Sequence, residues 1–346
     1  MNVIFTCGGT GGHINPGIAV ANILRERYPD SNILFVGGEG GMEEDLVPKA
    51  GYKIEALPCS SLRRGLSPKA IIHNVKGVGY VVSALKKSKK LIESFQPDVI
   101  LGTGLATRLV ADRVDQILVT FAESAKGYKH PEKVRTVGMP VRREFIYSDR
   151  KSSRRELGLD ERPLVISAFG SLGAREMNKK IADFLKLEVD EGIPFQHIHA
   201  TGSFGWRWMP DLVKEKGVDL EHCDGLDMRE YIYNMPQLMA AADLIISRAG
   251  SSSCNEIAAA GIPCILIPSP NVTDNHQEKN ARILEGRGGC AVILESECTG
   301  QRLFDETKAL LSDRPRWERM RQALLAGAIP NSAEQICDTI VKLARK

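Results

Sequence analysis

The chain has 346 residues, 43% of them apolar and 26% charged, with a formal net charge of +3. That length supports two α/β domains, each with its own core, and the near balance of charge argues against a polyanionic partner such as nucleic acid. No apolar run reaches the roughly 18 residues of a membrane span, and no basic-then-apolar leader is expected, because Met1-Asn2 runs straight into the first strand.

The apolar run Val3-Ile4-Phe5 predicts a buried strand over 2–7, followed by the turn Gly8-Gly9-Thr10-Gly11-Gly12-His13. A helix is expected to start near Asn15-Pro16, with Ile18, Val20, Ala21 and Leu24 on its apolar face. Such a turn brings backbone N–H groups to a helix N-terminus, where a phosphate is favoured. Glycine suits it because a Cβ would hold the ligand away. A dinucleotide fingerprint fits poorly. The third glycine of G-x-G-x-x-G is missing, and the second strand, 32–36, ends in Gly37-Gly38 with no carboxylate for a ribose.

Further strands are predicted at 53–57, 98–101, 116–120, 134–137, 164–169, 195–200, around 219–223, 243–246, 264–267 and 291–293, with helical stretches between most of them. Alternation of this kind predicts parallel, doubly wound sheets with helices on both faces. Between 68 and 90, Ile71, Ile72, Val75, Val78, Val82 and Leu85 recur at helical spacing ahead of Lys86, Lys87, Lys89 and Lys90. This is either a core-facing helix with a solvated basic end or a surface for anionic lipid. The charged stretch 148–155 marks a domain boundary, giving domains of 1–143 and 144–330, with a final helix at 331–346 packing back on the first. A second strand and glycine turn, Gly170-Ser171-Leu172-Gly173-Ala174, opens the second domain. The eight cysteines form no C-x-x-C pair, which argues against a zinc knuckle or redox motif and for a reducing cytoplasm.

Residues 247–281 are the most specific. A strand leads into Ala249-Gly250-Ser251, a phosphate seat at a helix N-terminus. Glu256 follows in the first turns of that helix, placed either for the two hydroxyls of a ribose or simply for the helix dipole. A proline-bounded loop then gathers Asp274, Asn275, His276 and Gln277, either to bind a ligand or to cap the next helix.

On these residues the chain resembles the MurG family, UDP-N-acetylglucosamine transferases that complete lipid II in bacterial cell-wall synthesis. The matching pieces are GGTGGHINP at 8–16, GMEEDLVPKAGY at 41–52, GMPVRREF at 138–145, FGSLGAREMN at 169–178, SRAGSSSCNEIAAAGIPCILIPSP at 247–270 and DNHQEKNA at 274–281. The resemblance implies two facing Rossmann-like domains of the glycosyltransferase B architecture. It also implies a UDP-N-acetylglucosamine site in the C-terminal domain. Glu256 would bind the ribose, Ser171 and Ala249-Gly250-Ser251 the diphosphate, Arg142 at the hinge the phosphates, and His276 and Gln277 the sugar. Thr10, Gly11, Gly12 and His13 would complete the site from the N-terminal domain, with His13 as the base for the acceptor hydroxyl or, failing that, a structural residue of the turn.

Three departures stand out. Leu172 replaces the usual Gln, and Met139 the usual Asn. After Gly104 the chain continues at once with Leu105-Ala106-Thr107-Arg108-Leu109, so about one α-then-β unit of the family is absent. The expected activity is inverting transfer of N-acetylglucosamine to a lipid-linked muramoyl-peptide acceptor. The enzyme would sit peripherally on the cytoplasmic side of an anionic bacterial cell membrane and use neither cofactor nor metal, since no D-x-D-type carboxylate pair stands out. The alternatives are a UDP-N-acetylglucosamine 2-epimerase, or a shortened chain that binds the nucleotide sugar without turnover.

Overall fold

The computed structural model describes residues 1–8, 11–58, 68–102, 110–272 and 275–345, apart from the side chains of 11–12, 68–78 and 123. In chain order its elements are β1 (Asn2–Thr6), α1 (Gly11–Arg27), β2 (Asn32–Gly38), α2 (Glu43–Lys49), β3 (Lys53–Leu57), α3 (Pro68–Phe95), β4 (Val99–Gly102), β5 (Ile117–Val119) and β6 (Val134–Thr136). There follow α4 (Glu144–Tyr147), α5 (Arg150–Glu156), β7 (Leu164–Ala168), α6 (Arg175–Asp190), β8 (Gln196–Ala200), α7 (Met209–Glu215), β9 (Leu226–Arg229), α8 (Met235–Ala241) and β10 (Leu244–Ser247). The chain ends with α9 (Ser251–Ala260), β11 (Cys264–Leu266), α10 (His276–Gly286), β12 (Cys290–Val292), α11 (Gly300–Ser312), α12 (Arg314–Gly327) and α13 (Ser332–Ala344). It divides into two compact units, Met1–Arg142 with Pro330–Lys346, and Arg143–Ile329.

In the first unit a parallel sheet runs in the order β3-β2-β1-β4. Its strands carry apolar residues on both faces, as a sheet covered on both sides requires. Phe5 and Phe35 stack on one face and pack with Ile14, Val20 and Leu24 of α1 and Ile336 and Ile340 of α13. On the other face Ile4, Leu34 and Val36 are covered by Leu91 and Phe95 of α3. Among the described residues this sheet ends at β4. Strands β5 and β6 form a separate parallel pair, and α13 spans the break. Arg135 of β6 reaches Gln335 and Thr339 of α13 at 3.3 and 3.4 Å, while Val99 and Leu101 of β4 pack into the same α13 cluster. Ile100, in register with Ile4, is left 49% exposed at this edge.

The second unit holds a six-stranded parallel sheet, β12-β11-β10-β7-β8-β9. Counted from β7 this is the doubly wound order 3-2-1-4-5-6, and the first unit begins the same way, 3-2-1-4, before it breaks.

Two expectations are corrected, and one of the two readings of α3 is set aside. Helix α1 begins at Gly11, four residues before Asn15, and contains Pro16, which gives up one intrahelical amide donor and crowds the carbonyl one turn earlier. No strand forms at 219–223. There Asp219 accepts the Glu221 N–H at 3.2 Å and pairs with His222 at 2.8 Å, which closes a turn, and the strand follows at β9. The described part of α3 does not turn Val82 and Leu85 to the core: they are 49% and 65% exposed, beside Tyr80 and Val81. Thr10, Asp274 and the Gly104-Leu105 junction lie outside the described residues, as do the side chains of Ile71, Ile72, Val75 and Val78.

Candidate active site

In a doubly wound sheet, ligands bind beyond the carboxyl ends of the strands, where the winding reverses. In the second unit that point falls between β7 and β10, which pair directly. The turn after β7 carries Ser171, and the turn after β10 is Arg248-Ala249-Gly250. The loop after β11, the next strand over, leads to His276 and Gln277 at the start of α10. The topology therefore brings Ser171, Ala249, Gly250, Ser251, Glu256, His276 and Gln277 to one end of one sheet.

Local chemistry fixes each piece. Gly250 is the N-cap of α9, and the first turn of that helix holds no acidic residue, so its positive end is uncompensated by side chains there. Glu256 stands half-buried in the second turn. The side-chain amide of Asn280 on α10 donates to the Ala249 carbonyl at 3.0 Å, locking α10 onto the turn. The Gln277 Oε1 accepts the Ser269 N–H at 2.9 Å, so its NH2 group is what it can offer a ligand. His276 is exposed and Ser171 is exposed. Arg248 pairs with Glu295 and donates to the Ile267 and Pro268 carbonyls at 3.1 and 3.3 Å, tying the β10 turn to the β11 loop.

The Ser171 turn lies backbone to backbone on the turn after β8. Ser203 N–H donates to the Ser171 carbonyl at 3.2 Å. A Cβ at Gly173 would strike the Thr201 carbonyl, and one at Gly202 the backbone of Gly173. Cys254, inside the motif, is a core residue. It is 1% exposed, and burial pushes its thiol far above the ordinary range.

In the first unit the winding reverses between β1 and β4, which places the first glycine turn at the switch point. Gly11 and Gly12 begin α1, and His13 is exposed on its first turn. The His13 Nδ1 lies 3.2 Å from the Gly8 carbonyl. A carbonyl only accepts, so this bond calls for a proton on Nδ1, which in a neutral ring leaves the lone pair on Nε2. Arg142, exposed, is the last residue before the chain enters the second unit. Sequence reasoning gave no role to Asn280, Gly202 or Glu43, although Asn280 and Glu43 lie within its matched motifs. Glu43 is 1% exposed beneath the first glycine turn.

The fold and these turns define a glycosyltransferase of the glycosyltransferase B architecture. Residues 3–124 match the N-terminal domain of glycosyltransferase family 28, and residues 165–336 its C-terminal domain. A UDP-N-acetylglucosamine--N-acetylmuramyl-(pentapeptide) pyrophosphoryl-undecaprenol N-acetylglucosamine transferase of Desulforudis audaxviator is 34% identical over 378 aligned positions, covering all of this chain and 99% of the relative. Acinetobacter baumannii MurG superposes with a TM-score of 0.68 at 22% identity over 99% of each chain. UDP-GlcNAc 2-epimerase from Neisseria meningitidis superposes with a TM-score of 0.63 at 14% identity over 99% of this chain and all of that one. The chain belongs to the MurG family of glycosyltransferase family 28. The alignment to the Desulforudis relative spans 378 positions against 346 residues here, so at least 32 positions of it have no counterpart in this chain.

Proposed function

We propose that the protein transfers N-acetylglucosamine from UDP-N-acetylglucosamine to the lipid-linked muramoyl-peptide acceptor, forming lipid II for peptidoglycan. The observation that carries the reading is the gathering of Ser171, Ala249-Gly250-Ser251, Glu256, His276 and Gln277 at the switch point of a 3-2-1-4-5-6 sheet. The N-terminus of α9 and Ser171 receive the diphosphate, with Arg142. Glu256 accepts the two ribose hydroxyls, and His276 and Gln277 hold the sugar. The acceptor oxygen attacks the anomeric carbon from the face opposite UDP, inverting it. The Nε2 of His13 takes the proton, and the diphosphate leaves with its charge held by helix dipole and guanidinium. Gly11 and Gly12, at the start of α1, serve the nucleotide sugar as well.

No helix among the described residues is long and apolar enough to cross a membrane. We place the protein peripherally on the cytoplasmic face, with the exposed Tyr80, Val81, Val82 and Leu85 and the lysines after them against anionic lipid. Incubation with labelled UDP-N-acetylglucosamine tests the activity. Acceptor-dependent disaccharide supports it, whereas a 2-epimer formed without acceptor supports the epimerase reading. The break between β4 and β5 favours a second outcome, donor binding without turnover.

A further inference from the structure

We propose that Glu43 is a positioning residue for the His13 imidazole, acting through the backbone of Gly8; this rests on the reading of His13 as the base. Glu43 is the only buried carboxylate among the described residues of the first unit. Its Oε1 accepts the Gly38 N–H at 2.8 Å. Three glycines from separate places make room for it. A Cβ at Gly8 would lie 3.2 Å from its Oε1, and a Cβ at Gly37 or Gly41 would collide with its side chain. The side chain thus fills the space between the ends of β1 and β2, directly behind Gly8. Its negative charge is felt there, since the neighbouring Cys7 thiol is pushed up to about 11 by burial and, second, by Glu43.

In a dinucleotide-binding sheet this is where a phosphate and a ribose come to rest. Here the protein's own carboxylate stands beside Gly8, where that turn begins. The consequence runs to His13. The Gly8 carbonyl is the acceptor that holds the proton on Nδ1. The Glu43 carboxylate leaves little room for a side chain at Gly8 and is itself tied to β2 through the Gly38 N–H, so it backs Gly8 from the side of β2. Without that support the carbonyl shifts, and the ring relaxes to the Nε2–H tautomer that free imidazole prefers. A His13 protonated at Nε2 cannot take a proton there.

Nitrogen-15 NMR on histidine-labelled protein reads which ring nitrogen carries the proton. Wild type is expected to show His13 as Nδ1–H. Glu43→Ala should convert it mainly to Nε2–H and lower kcat about 10–100-fold, leaving KM for UDP-N-acetylglucosamine within about twofold. Glu43→Gln keeps an amide oxygen for the Gly38 N–H and should restore most of both. Adding Glu43→Ala to His13→Ala should cost no further rate. A folded Glu43→Ala protein with His13 still Nδ1–H overturns the proposal. If Glu43→Ala does not fold, Gly37→Ala, which crowds the carboxylate without removing it, should give the same tautomer change, and an unchanged tautomer overturns the proposal equally. Full turnover in His13→Ala, with the tautomer still following Glu43, removes His13 as base and leaves the positioning intact.

Discussion

The Oε2 of Glu188 lies 2.7 Å from the Nδ1 of His197, and neither side chain has exposed surface. The contact continues inward. The Ser167 Oγ lies 2.7 Å from the His197 Nε2 and 2.7 Å from the His199 Nδ1. Burial raises the Glu188 carboxyl well above its usual range and depresses both histidines to about 3. Burial thus favours the uncharged form of all three groups, an arrangement in which donors run from a protonated Glu188 through His197 and Ser167 to His199.

The sign of the pH dependence follows. The histidines, depressed from 6.5 to about 3, stabilise the second unit fully above pH 6.5, and this is lost as pH falls toward 3. Glu188, raised, acts the other way: its contribution is full below the ordinary carboxyl range and is lost as pH rises through its folded value. Between those limits two histidines outweigh one glutamate, so the melting temperature of this unit should fall from pH 7 to pH 5. Glu188→Gln keeps a neutral donor toward His197 and should leave stability at pH 7.5 unchanged or higher. A drop of several degrees in a scanning melt at pH 7.5 would show that Glu188 is ionised and paired with a charged His197.

Glu256→Ala should weaken UDP binding by about 1.5–3 kcal/mol, the loss of charge-assisted hydrogen bonds to two hydroxyls. Its half-buried place on α9, past the capping Gly250, suits that role. Titration calorimetry with UDP reads it. An unchanged affinity leaves Glu256 as a helix residue only and moves the ribose elsewhere.

The α3 surface separates two forces. Lys87 is committed to the protein, since its ammonium donates to the Ala56 carbonyl at 2.6 Å. Replacing Lys86, Lys89 and Lys90 with Gln should reduce binding to anionic vesicles by up to about 1 kcal/mol per charge and flatten its salt dependence. Replacing Val81, Val82 and Leu85 with Ser should reduce binding to neutral and anionic vesicles alike. Co-sedimentation equal to wild type in both variants places the membrane face elsewhere.

Much of this was legible because glycine and strand signals are local. Val3-Ile4-Phe5 before a glycine turn, and Leu244 to Ser247 before Ala249-Gly250, each announce a strand, a turn and a helix start. The start of α1 was hidden because glycines weaken helix signals and Pro16 mimics a first position. Residues Val218 to Cys223 alternate like a strand, yet Asp219 folds them into a turn. Glu43 sits in an acidic run that reads as a solvated helix start. Only the meeting of Gly8, Gly37 and Gly41 in space buries it. Likewise Gln196-His197-Ile198-His199 reads as a half-exposed strand, whereas both of its faces are buried in a central strand.

The break between β4 and β5 carries the last prediction. Among the described residues the strands of the first unit form two separate sheets, Ile100 is half-exposed at the edge of one, and α13 packs against both pieces. At least 32 positions of the Desulforudis relative have no counterpart in the 346 residues, about the size of one α-then-β unit. Uncovered apolar surface and an unpaired edge lower stability locally, while the second unit keeps its full six-stranded sheet and its own core. Differential scanning calorimetry should therefore show two transitions, the earlier from the first unit. Saturating UDP, binding the second unit, should raise the later one, by an amount that grows with ligand concentration. Transfer to lipid acceptor should be slow in relation to donor binding. A single cooperative transition with full transferase activity would show that six strands in two pieces suffice and that the extra unit of the family is dispensable in this chain.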